Sequence, residues 1–349
     1  MSEAIAVADA IEGVAHPREA IRLVGHAAAE RTLLDAYRAG RLHHAWLLAG
    51  PRGIGKATLA YRLARFMLSH PDPAHPAVAA AESLAVSPEA PAARRIAQGA
   101  HPDLATLSRG LNADRKNFSA EIKVDDARRL ASLFGSTAGE GGWRVAIVDT
   151  ADDLNTNAAN ALLKLVEEPP PRSIFLVLTA SPRALPATLR SRCRLLQLRP
   201  LETGDVAEVL SGLAGIAEEY DEDALSRAAV GAGGSVRRAI AALTAEDTDV
   251  AARTAAALRA LPDLSPAGSL DLADAVTAGR EAGLAAFVEQ VLDFLHARAV
   301  TPGPPAARLA RWAELWEKVA AAARDVEAYN LDRRPFVLST LTMLAAAAR

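Results

Sequence analysis

A glycine-rich turn at residues 50–56 constrains the fold of this chain more than any other stretch. An apolar run ending at Ala49 precedes the turn, and apolar residues recur three and four positions apart in the run 59–68 that follows it. In such a strand, turn and helix, backbone N–H groups and the helix N-terminus bind phosphate. The pattern predicts a nucleotide-binding loop whose binding residues are Gly50, Gly53, Gly55 and Lys56.

This loop lacks one of its usual parts. A complete loop has Ser or Thr directly after the lysine, because that hydroxyl ligates magnesium. Ala57 stands there instead, and Thr58 comes one position late, about 100° further round the helix. We include Thr58 among the candidate nucleotide-binding residues, although the usual metal ligand is absent. A glycine turn with a purely structural role is the alternative interpretation.

A second part of a nucleotide site is expected at a strand end. Residues 143–149 form a nearly continuous apolar run, typical of buried parallel strands, and the run ends in Asp149. In nucleotide hydrolases a carboxylate at this position holds magnesium, and a following Glu polarises the attacking water. The following residue here is Thr150, so a second catalytic part is missing. A purely structural cap is the alternative role for Asp149.

Three further polar residues follow the predicted strands. Thr179 ends the next buried run, 174–179, where a polar side chain can sense a terminal phosphate. Asp152 and Asp153 lie where they would start the next helix, and we expect them to cap it.

The order of the elements predicts the fold class. Strands alternate with helices up to about residue 200, which indicates a doubly wound parallel sheet in an α/β domain, 1–200. Helical patterns near 203–214, 221–230 and 235–244 predict a small helical lid domain, 201–246. The alanine-rich remainder predicts an all-α domain, 247–349, with helices near 248–260, 269–279, 281–300, 305–329 and 332–348.

Two segments have little pattern of their own. Residues 1–20 predict a frayed start. Residues 69–93 are rich in proline and alanine, which indicates a linker or a poorly packed insertion with a short helix near 77–85.

Composition limits the chemistry. The single cysteine, Cys193, excludes an internal disulfide and a thiolate-rich zinc site, so we expect no zinc and no other metal site. A net charge of −3 provides no general basic field, so a DNA contact would need a local patch. No apolar run reaches membrane-spanning length, and we expect a cytoplasmic protein without a membrane partner.

The histidines show no metal-ligand spacing. Adjacent side chains in an extended chain face opposite ways, so His43 and His44 are expected to be solvated or packed rather than ligating. We expect solvated side chains at His70, His75 and His101.

Three motifs together resemble the bacterial clamp-loader branch of the AAA+ family. They are the loop at 50–56, the helix 157–168 with its acidic end before Pro169, and Ser191, Arg192 and Cys193. The resemblance extends over nearly the whole chain, and the incomplete nucleotide site resembles the non-motor, delta-prime type rather than the motor subunits. Many relatives carry a four-cysteine zinc module after the loop helix, and this chain has none there.

The resemblance implies roles for two arginines. Arg192 would be an arginine finger that acts in trans on the ATP of a neighbouring subunit. Arg237, after Ser235, would be a second sensor pointing at the nucleotide. A surface or salt-bridge arginine is the alternative for Arg192, and a capped helix with solvated arginines is the alternative for Arg237.

The resemblance also implies a function. The chain would be a stator of the clamp loader of DNA polymerase III, with little or no ATPase activity of its own, inside a complex with nucleotidyltransferase activity. Its partners would be the gamma/tau motor and delta subunits, the sliding clamp and primed DNA, and its helical third domain would join an oligomeric collar. ATP or ADP would bind weakly or without hydrolysis. An active ATPase of the same family is one alternative, and a P-loop kinase or transferase is another.

Overall fold

The computed structural model describes residues 10–11, 13–111, 118–119, 121–135, 142–243, 248–300, 306–328 and 331–349. The chain packs into two compact units, Met1–Arg237 and Arg238–Arg349. The predicted division into three domains stays a prediction.

The first unit is built on a parallel sheet. Its strands in the described part of the chain are β1 (Ala45–Ala49), β2 (Leu104–Leu107), β3 (Arg144–Val148), β4 (Ser173–Thr179) and β5 (Arg194–Gln197). They lie side by side in the order β2-β3-β4-β1-β5, and every neighbouring pair is parallel. All residues of β1, β3 and β4 are buried, as expected for apolar strands covered on both faces.

Helices cover both faces of this sheet. They are α1 (Ala27–Arg38), α2 (Lys56–Ser69), α3 (Pro76–Ala80), α4 (Pro91–Ala97), α5 (Val124–Gly135), α6 (Thr156–Glu167) and α7 (Ala187–Arg190). Leu33 and Leu63 pack with Trp46 in one buried cluster, and Leu162 and Ala127 belong to a second cluster with Phe175. Successive β1 residues, Trp46 and Leu47, fall in different clusters, so the strand contributes to both cores. The predicted doubly wound α/β fold is confirmed.

The segment 69–93 packs better than its composition predicts. It contains α3 and the start of α4, and Val78 and Leu84 are fully buried in the cluster that α1 and α2 form. Glu30 accepts a hydrogen bond from the Leu84 amide at 2.9 Å, and Arg38 donates to the Val78 carbonyl at 3.2 Å. The expectation of a poorly packed insertion is therefore wrong, because buried apolar residues and charged partners on α1 hold the segment.

The start of the chain is also held. His16 lies edge-on against Tyr61 of α2, with ring centroids 5.6 Å apart. Arg65, also on α2, donates to the Ala20 carbonyl at 2.5 Å, and Arg62 donates to the Ile21 carbonyl. The prediction of a frayed start is wrong for residues 13–20, and residues 1–9 and 12 lie outside the described residues.

The structure contradicts some of the predictions made for the histidines. His101 is buried, so its predicted solvation is wrong, whereas His75 is exposed and His70 is half-buried. His43 and His44 stack on each other with ring centroids 4.3 Å apart, because the chain bends before β1 begins instead of extending. Their predicted opposite orientation is therefore wrong.

Short helices follow the sheet in chain order. They are α8 (Thr203–Ser211), α9 (Ala214–Ala217), α10 (Glu222–Gly231) and α11 (Val236–Leu243). The helix predicted over 203–214 ends early, at Ser211, and the separate helix α9 begins at Ala214.

The second unit is helical where it is described. Its helices include α12 (Thr248–Ala260), α13 (Pro266–Ala278), α14 (Arg280–Val300), α15 (Ala306–Ala328) and α16 (Arg333–Ala348). Phe287 meets Phe336 edge-on at 6.2 Å, and Phe294 meets Trp312 at 6.0 Å, in a single apolar cluster. The predicted helical C-terminal region is confirmed, and the interruption predicted between the helices near 281–300 and 305–329 lies outside the described residues.

Candidate functional site

The glycine-rich turn joins β1 to α2 at the carboxyl end of the sheet. Gly53 and Gly55 have φ angles of +75° and +98°, a region that L side chains rarely adopt. A Cβ atom on Gly53 would lie 2.4 Å from the Ser235 hydroxyl oxygen, so space also requires glycine there. Both constraints explain a glycine-rich sequence at this loop, which leads into a helix N-terminus, where anions are favoured.

Lys56 is the first residue of α2 and is 8% exposed. Its Nζ donates to the carbonyl oxygens of Gly50 and Pro51 at 2.7 Å and 2.6 Å. The ammonium group therefore lies inside the loop, at the position expected of a phosphate-binding cation. Ala57 and Thr58 follow in the first turn of α2, both half-buried, and residue 57 supplies no hydroxyl for a metal ion.

Asp149 and Thr150 follow β3 directly, as predicted, and Asp149 is half-buried. The Thr150 hydroxyl is engaged by the protein itself: Oγ1 donates toward Asp152 Oδ2 at 2.8 Å and toward the Leu178 carbonyl at 3.1 Å. The residue in the position of the water-polarising Glu therefore serves to join two strand ends.

Asp152 is a central residue of the site, although the sequence suggested only a helix cap for it. Its carboxylate accepts hydrogen bonds from the Thr179 hydroxyl and the Ser181 amide at Oδ1, and from the Thr150 hydroxyl and the Ala180 amide at Oδ2. These contacts tie the end of β3 to the end of β4. The expectation that Asp152 caps α6 is wrong, because Asn155 does so by accepting from the Ala158 amide at 2.9 Å.

The same network determines the environment of Thr179. Thr179 is fully buried, its hydroxyl donates to Asp152 at 2.9 Å, and it accepts from the Ser181 amide at 3.0 Å. Its role as a phosphate sensor stays a prediction.

Asp153 joins the network to the phosphate loop and does not cap α6 either. It is buried, and its carboxylate lies 3.3 Å from Arg109 Nε and 3.9 Å from Arg52 Nη2. Because Arg52 belongs to the glycine-rich turn, its ion pair with Asp153 links that turn to the segment after β3.

The start of α11 lies directly against the loop. Ser235 Oγ donates to the Arg52 carbonyl at 2.9 Å, and the Val236 amide donates to the Gly53 carbonyl at 2.9 Å. A Cβ on Gly53 would also lie 2.5 Å from the Cβ of Arg237. The structure therefore brings Arg237 to the phosphate loop, as its predicted role requires, while that role itself stays a prediction.

His26 is a residue that the sequence reasoning missed. It is buried, and its Nε2 lies 2.6 Å from the Ile54 carbonyl, which can only accept, so Nε2 carries the proton. Burial lowers the pKa of His26 below 6.5 and is the largest influence on it. A neutral histidine thus holds the loop through the Ile54 carbonyl. No sequence motif identifies His26.

Arg192 lies apart from these residues, between α7 and β5. Its Nη1 donates to the Thr188 carbonyl at 3.0 Å and reaches Ser191 Oγ at 3.5 Å. Its Nη2 lies 2.6 Å from Glu167 Oε1 at the end of α6. With 41% of the side chain exposed, this guanidinium is accessible in a way that Lys56 is not.

Cys193 is half-buried next to Arg192. Burial raises the pKa of its thiol to about 11, so the thiol stays protonated near neutral pH. In the described part of the chain, no group of His, Cys, Asp and Glu is arranged to hold a metal ion. Among the described helices, none has the length and apolar composition to cross a membrane.

The family follows from a sequence match. A family model described as DNA polymerase III, delta subunit, matches residues 25–202, which include every predicted site residue except Arg237. The chain belongs to this family. The predicted resemblance is thereby confirmed at the family level.

Individual relatives are also subunits of DNA polymerase III. The DNA polymerase III subunit delta' of Escherichia coli is 36% identical over 170 residues, which are 48% of this chain and 46% of that protein. Its counterpart from Pseudomonas aeruginosa is 37% identical over 150 residues, 43% of this chain and 41% of that protein. The tau subunit of Salmonella typhimurium is 27% identical over 331 residues, 89% of this chain and 48% of that protein. The chain thus spans less than half the length of each of these relatives.

Solved structures give a weaker likeness. A gamma subunit-related protein of DNA polymerase III from Thermotoga maritima has a TM-score of 0.39 at 14% identity, covering 91% of this chain and all of that one. The RuvB Holliday junction branch migration motor of the same organism has a TM-score of 0.41 at 19% identity, covering 93% and 91%. At these TM-scores the likeness supports no conclusion.

Proposed function

We propose that this chain is a non-motor subunit of the clamp loader of DNA polymerase III. In this proposal Arg192 completes the ATP site of a neighbouring motor subunit while the sliding clamp is loaded onto primed DNA. Curated relatives named delta' and tau support membership of such an assembly. The partners are the gamma/tau and delta subunits, in a hetero-oligomer.

The observation that carries this proposal is the exposure of the Arg192 guanidinium. An arginine that acts in trans has to present N–H groups at the surface, and 41% of the Arg192 side chain is exposed. Guanidinium groups donate to phosphate oxygens in a planar, forked geometry and stabilise charge that develops during phosphoryl transfer. Arg192 has the chemistry and the accessibility for that role.

The chain's own nucleotide site supports the non-motor part of the proposal. Residue 57 is alanine, and the hydroxyl of Thr150 is engaged with Asp152 and the Leu178 carbonyl. A magnesium ligand and a water-positioning carboxylate are thus missing at two separate places. The loop and Lys56 still fit a phosphate, so ATP or ADP binds weakly or without hydrolysis in this proposal.

Removal of Arg192 tests the proposal. Arg192→Ala should leave folding and complex assembly intact and should lower clamp-stimulated ATP turnover of the reconstituted loader. A finger contributes roughly 10³–10⁵ in rate at the site it completes, and the loss in the whole assembly is smaller because only one interface depends on this chain. Arg192→Lys should rescue only partly, because an ammonium lacks the planar fork.

Arg190→Ala is the matched control, since Arg190 is also exposed, lies in the same segment and carries the same charge. It should turn over ATP like the unmodified assembly. If Arg192→Ala assembles and turns over ATP as fast as Arg190→Ala, Arg192 is a surface charge and the proposed function loses its support.

A further inference from the structure

The Arg192 guanidinium is held from two directions. Its own short segment supplies the Thr188 carbonyl and the Ser191 hydroxyl to Nη1, and a different helix, α6, supplies Glu167 to Nη2. A guanidinium is rigid and planar, so contacts at both η nitrogens orient the plane of the whole group. Glu167 is the only one of these partners that comes from outside residues 188–191.

The hydrogen bonds leave part of the group available. A guanidinium has five N–H groups, and the contacts of Arg192 with Thr188, Ser191 and Glu167 engage at most two on Nη1 and one on Nη2. N–H groups on Nε and Nη2 therefore remain to donate to an oxyanion that approaches from outside. The pair itself is weak, because 41% and 38% of the two side chains are exposed to water.

We propose that Glu167 is a positioning residue for Arg192. It orients the guanidinium at the surface before a partner arrives, so that less side-chain freedom is lost when the arginine meets a phosphate. Phosphate and carboxylate oxygens both accept charge-assisted hydrogen bonds from a guanidinium, and this exposed ion pair contributes little, so it can loosen without blocking contact with a phosphate. This inference rests on the proposed function of Arg192.

The position of Glu167 is consistent with such a role. It is the last residue of α6, and the turn beyond it contains Pro169, Pro170 and Pro171, whose rings fix the backbone φ angles. The carboxylate is therefore presented from a helix end that is followed by stiff backbone. The neighbouring Glu168 is also exposed but forms no ion pair with a described residue, which makes it a matched control.

The test is ATP turnover by the reconstituted clamp loader with Glu167→Ala, Glu167→Gln and Glu168→Ala in this chain. Glu167→Ala should lower kcat by about three- to fivefold, the larger value corresponding to about 1 kcal/mol, with KM for ATP unchanged. Glu167→Gln, which keeps an oxygen acceptor, should fall between Glu167→Ala and the unmodified chain. Glu168→Ala should have no effect.

Repeating the change in the Arg192→Ala background separates positioning from other effects. If Glu167 acts through Arg192, Glu167→Ala should cause no further loss once Arg192 is absent. An equal loss in both backgrounds would overturn the inference, because Glu167 would then act elsewhere. Faster turnover with Glu167→Ala would overturn it too, because the carboxylate would then compete with phosphate.

The two proposals fail in different ways. If Arg192→Ala slows turnover and Glu167→Ala does not, the positioning role is wrong and the finger role stands. If Arg192→Ala itself has no effect, the proposed function is wrong. Thermal unfolding and size-exclusion chromatography of each variant assembly check that a loss of rate does not come from a loss of fold or of assembly.

Discussion

Two charged regions of the first unit are built in opposite ways. At the phosphate-loop region, Lys56, Asp152 and Asp153 are engaged by other groups of the chain, and Lys56 and Asp153 are at most 9% exposed. At the Arg192 region, Arg192 and Glu167 form one ion pair with 41% and 38% of their side chains exposed. The first region is closed on itself, and the second presents its charges to the surface.

The difference indicates which region can respond to a partner. A buried charge that loses its partners incurs a large desolvation cost, so the contacts of Lys56 and Asp153 resist rearrangement. An exposed ion pair contributes little and can be exchanged for another partner at small cost. The loop region therefore resembles a fixed support, and the Arg192 region resembles a contact surface.

The largest expected effect follows from the network around Asp152. Asp152→Ala should lower the free energy of unfolding of the chain by about 3 kcal/mol, because it leaves the buried Thr179 hydroxyl and the amides of Ala180 and Ser181 without their acceptor. Urea unfolding measures the loss. Hydrogen exchange at the Ala180 and Ser181 amides should accelerate, since both donate to this carboxylate.

Glu167→Ala is the counterpart at the exposed region. It should change the free energy of unfolding by less than about 1 kcal/mol, because its ion pair is exposed. Equal losses for Asp152→Ala and Glu167→Ala would show that the two regions do not differ in the way their burial implies.

A smaller effect concerns pH. Burial lowers the pKa of His26 below its unfolded value near 6.5, so the unfolded chain takes up this proton first as the pH falls. The contribution of neutral His26 is complete above about pH 6.5 and is lost progressively below it. The melting temperature should therefore fall between pH 8 and pH 5.5, and His26→Gln should reduce that fall by a few degrees.

His44 is the corresponding histidine near the Arg192 region, because it hydrogen-bonds to the backbone of Val166, next to Glu167, and it is only half-buried. Burial also lowers the pKa of His44. Because His44 is more exposed than His26, we expect it to contribute less to the pH dependence of the melting temperature. His16, whose pKa is lowered to about 4, contributes equally to both variants. A larger effect of His44→Gln than of His26→Gln would contradict the ranking by burial.

Much of the fold could be predicted from the sequence, because its strongest signals are local. The runs at β1, β3 and β4 are short, apolar and bounded by turns, so their type and burial follow from the pattern. Residues 69–93 could not be predicted in this way. Their burial depends on α1, whose Glu30 and Arg38 bind backbone groups 40 or more positions away.

The candidate site divides along the same line. Gly53 and Lys56 belong to a motif with fixed spacing, and the structure brings them together as the motif requires. Asp152 and His26 belong to no motif, since their partners come from β4 and from the Ile54 carbonyl. Their side-chain types are compatible with a helix cap and a surface histidine, so only the tertiary contacts reveal what they do.

The smallest expected effect concerns ATPase activity, which we expect to stay negligible even after its two missing groups are replaced. The isolated chain should release phosphate from ATP no faster than its Lys56→Ala variant, because Ala57 and Thr150 replace the metal-binding hydroxyl and the water-polarising carboxylate. Ala57→Ser combined with Thr150→Glu supplies both groups. We nevertheless expect turnover within about twofold of the Lys56→Ala level, since activity requires the reacting groups in a productive geometry.

The reason lies in the contacts of Thr150. Its hydroxyl joins Asp152 Oδ2 and the Leu178 carbonyl, and Glu at this position would remove those bonds and add a carboxylate beside Asp149 and near Asp152. Like charges at short range favour protonation of one of them, which leaves a poorer base. Thr179 would also remain bonded to Asp152. A tenfold or greater rise in steady-state phosphate release over the Lys56→Ala control would show that two residues alone separate this site from an active one, and the contrast between a closed loop region and an open Arg192 region would no longer hold.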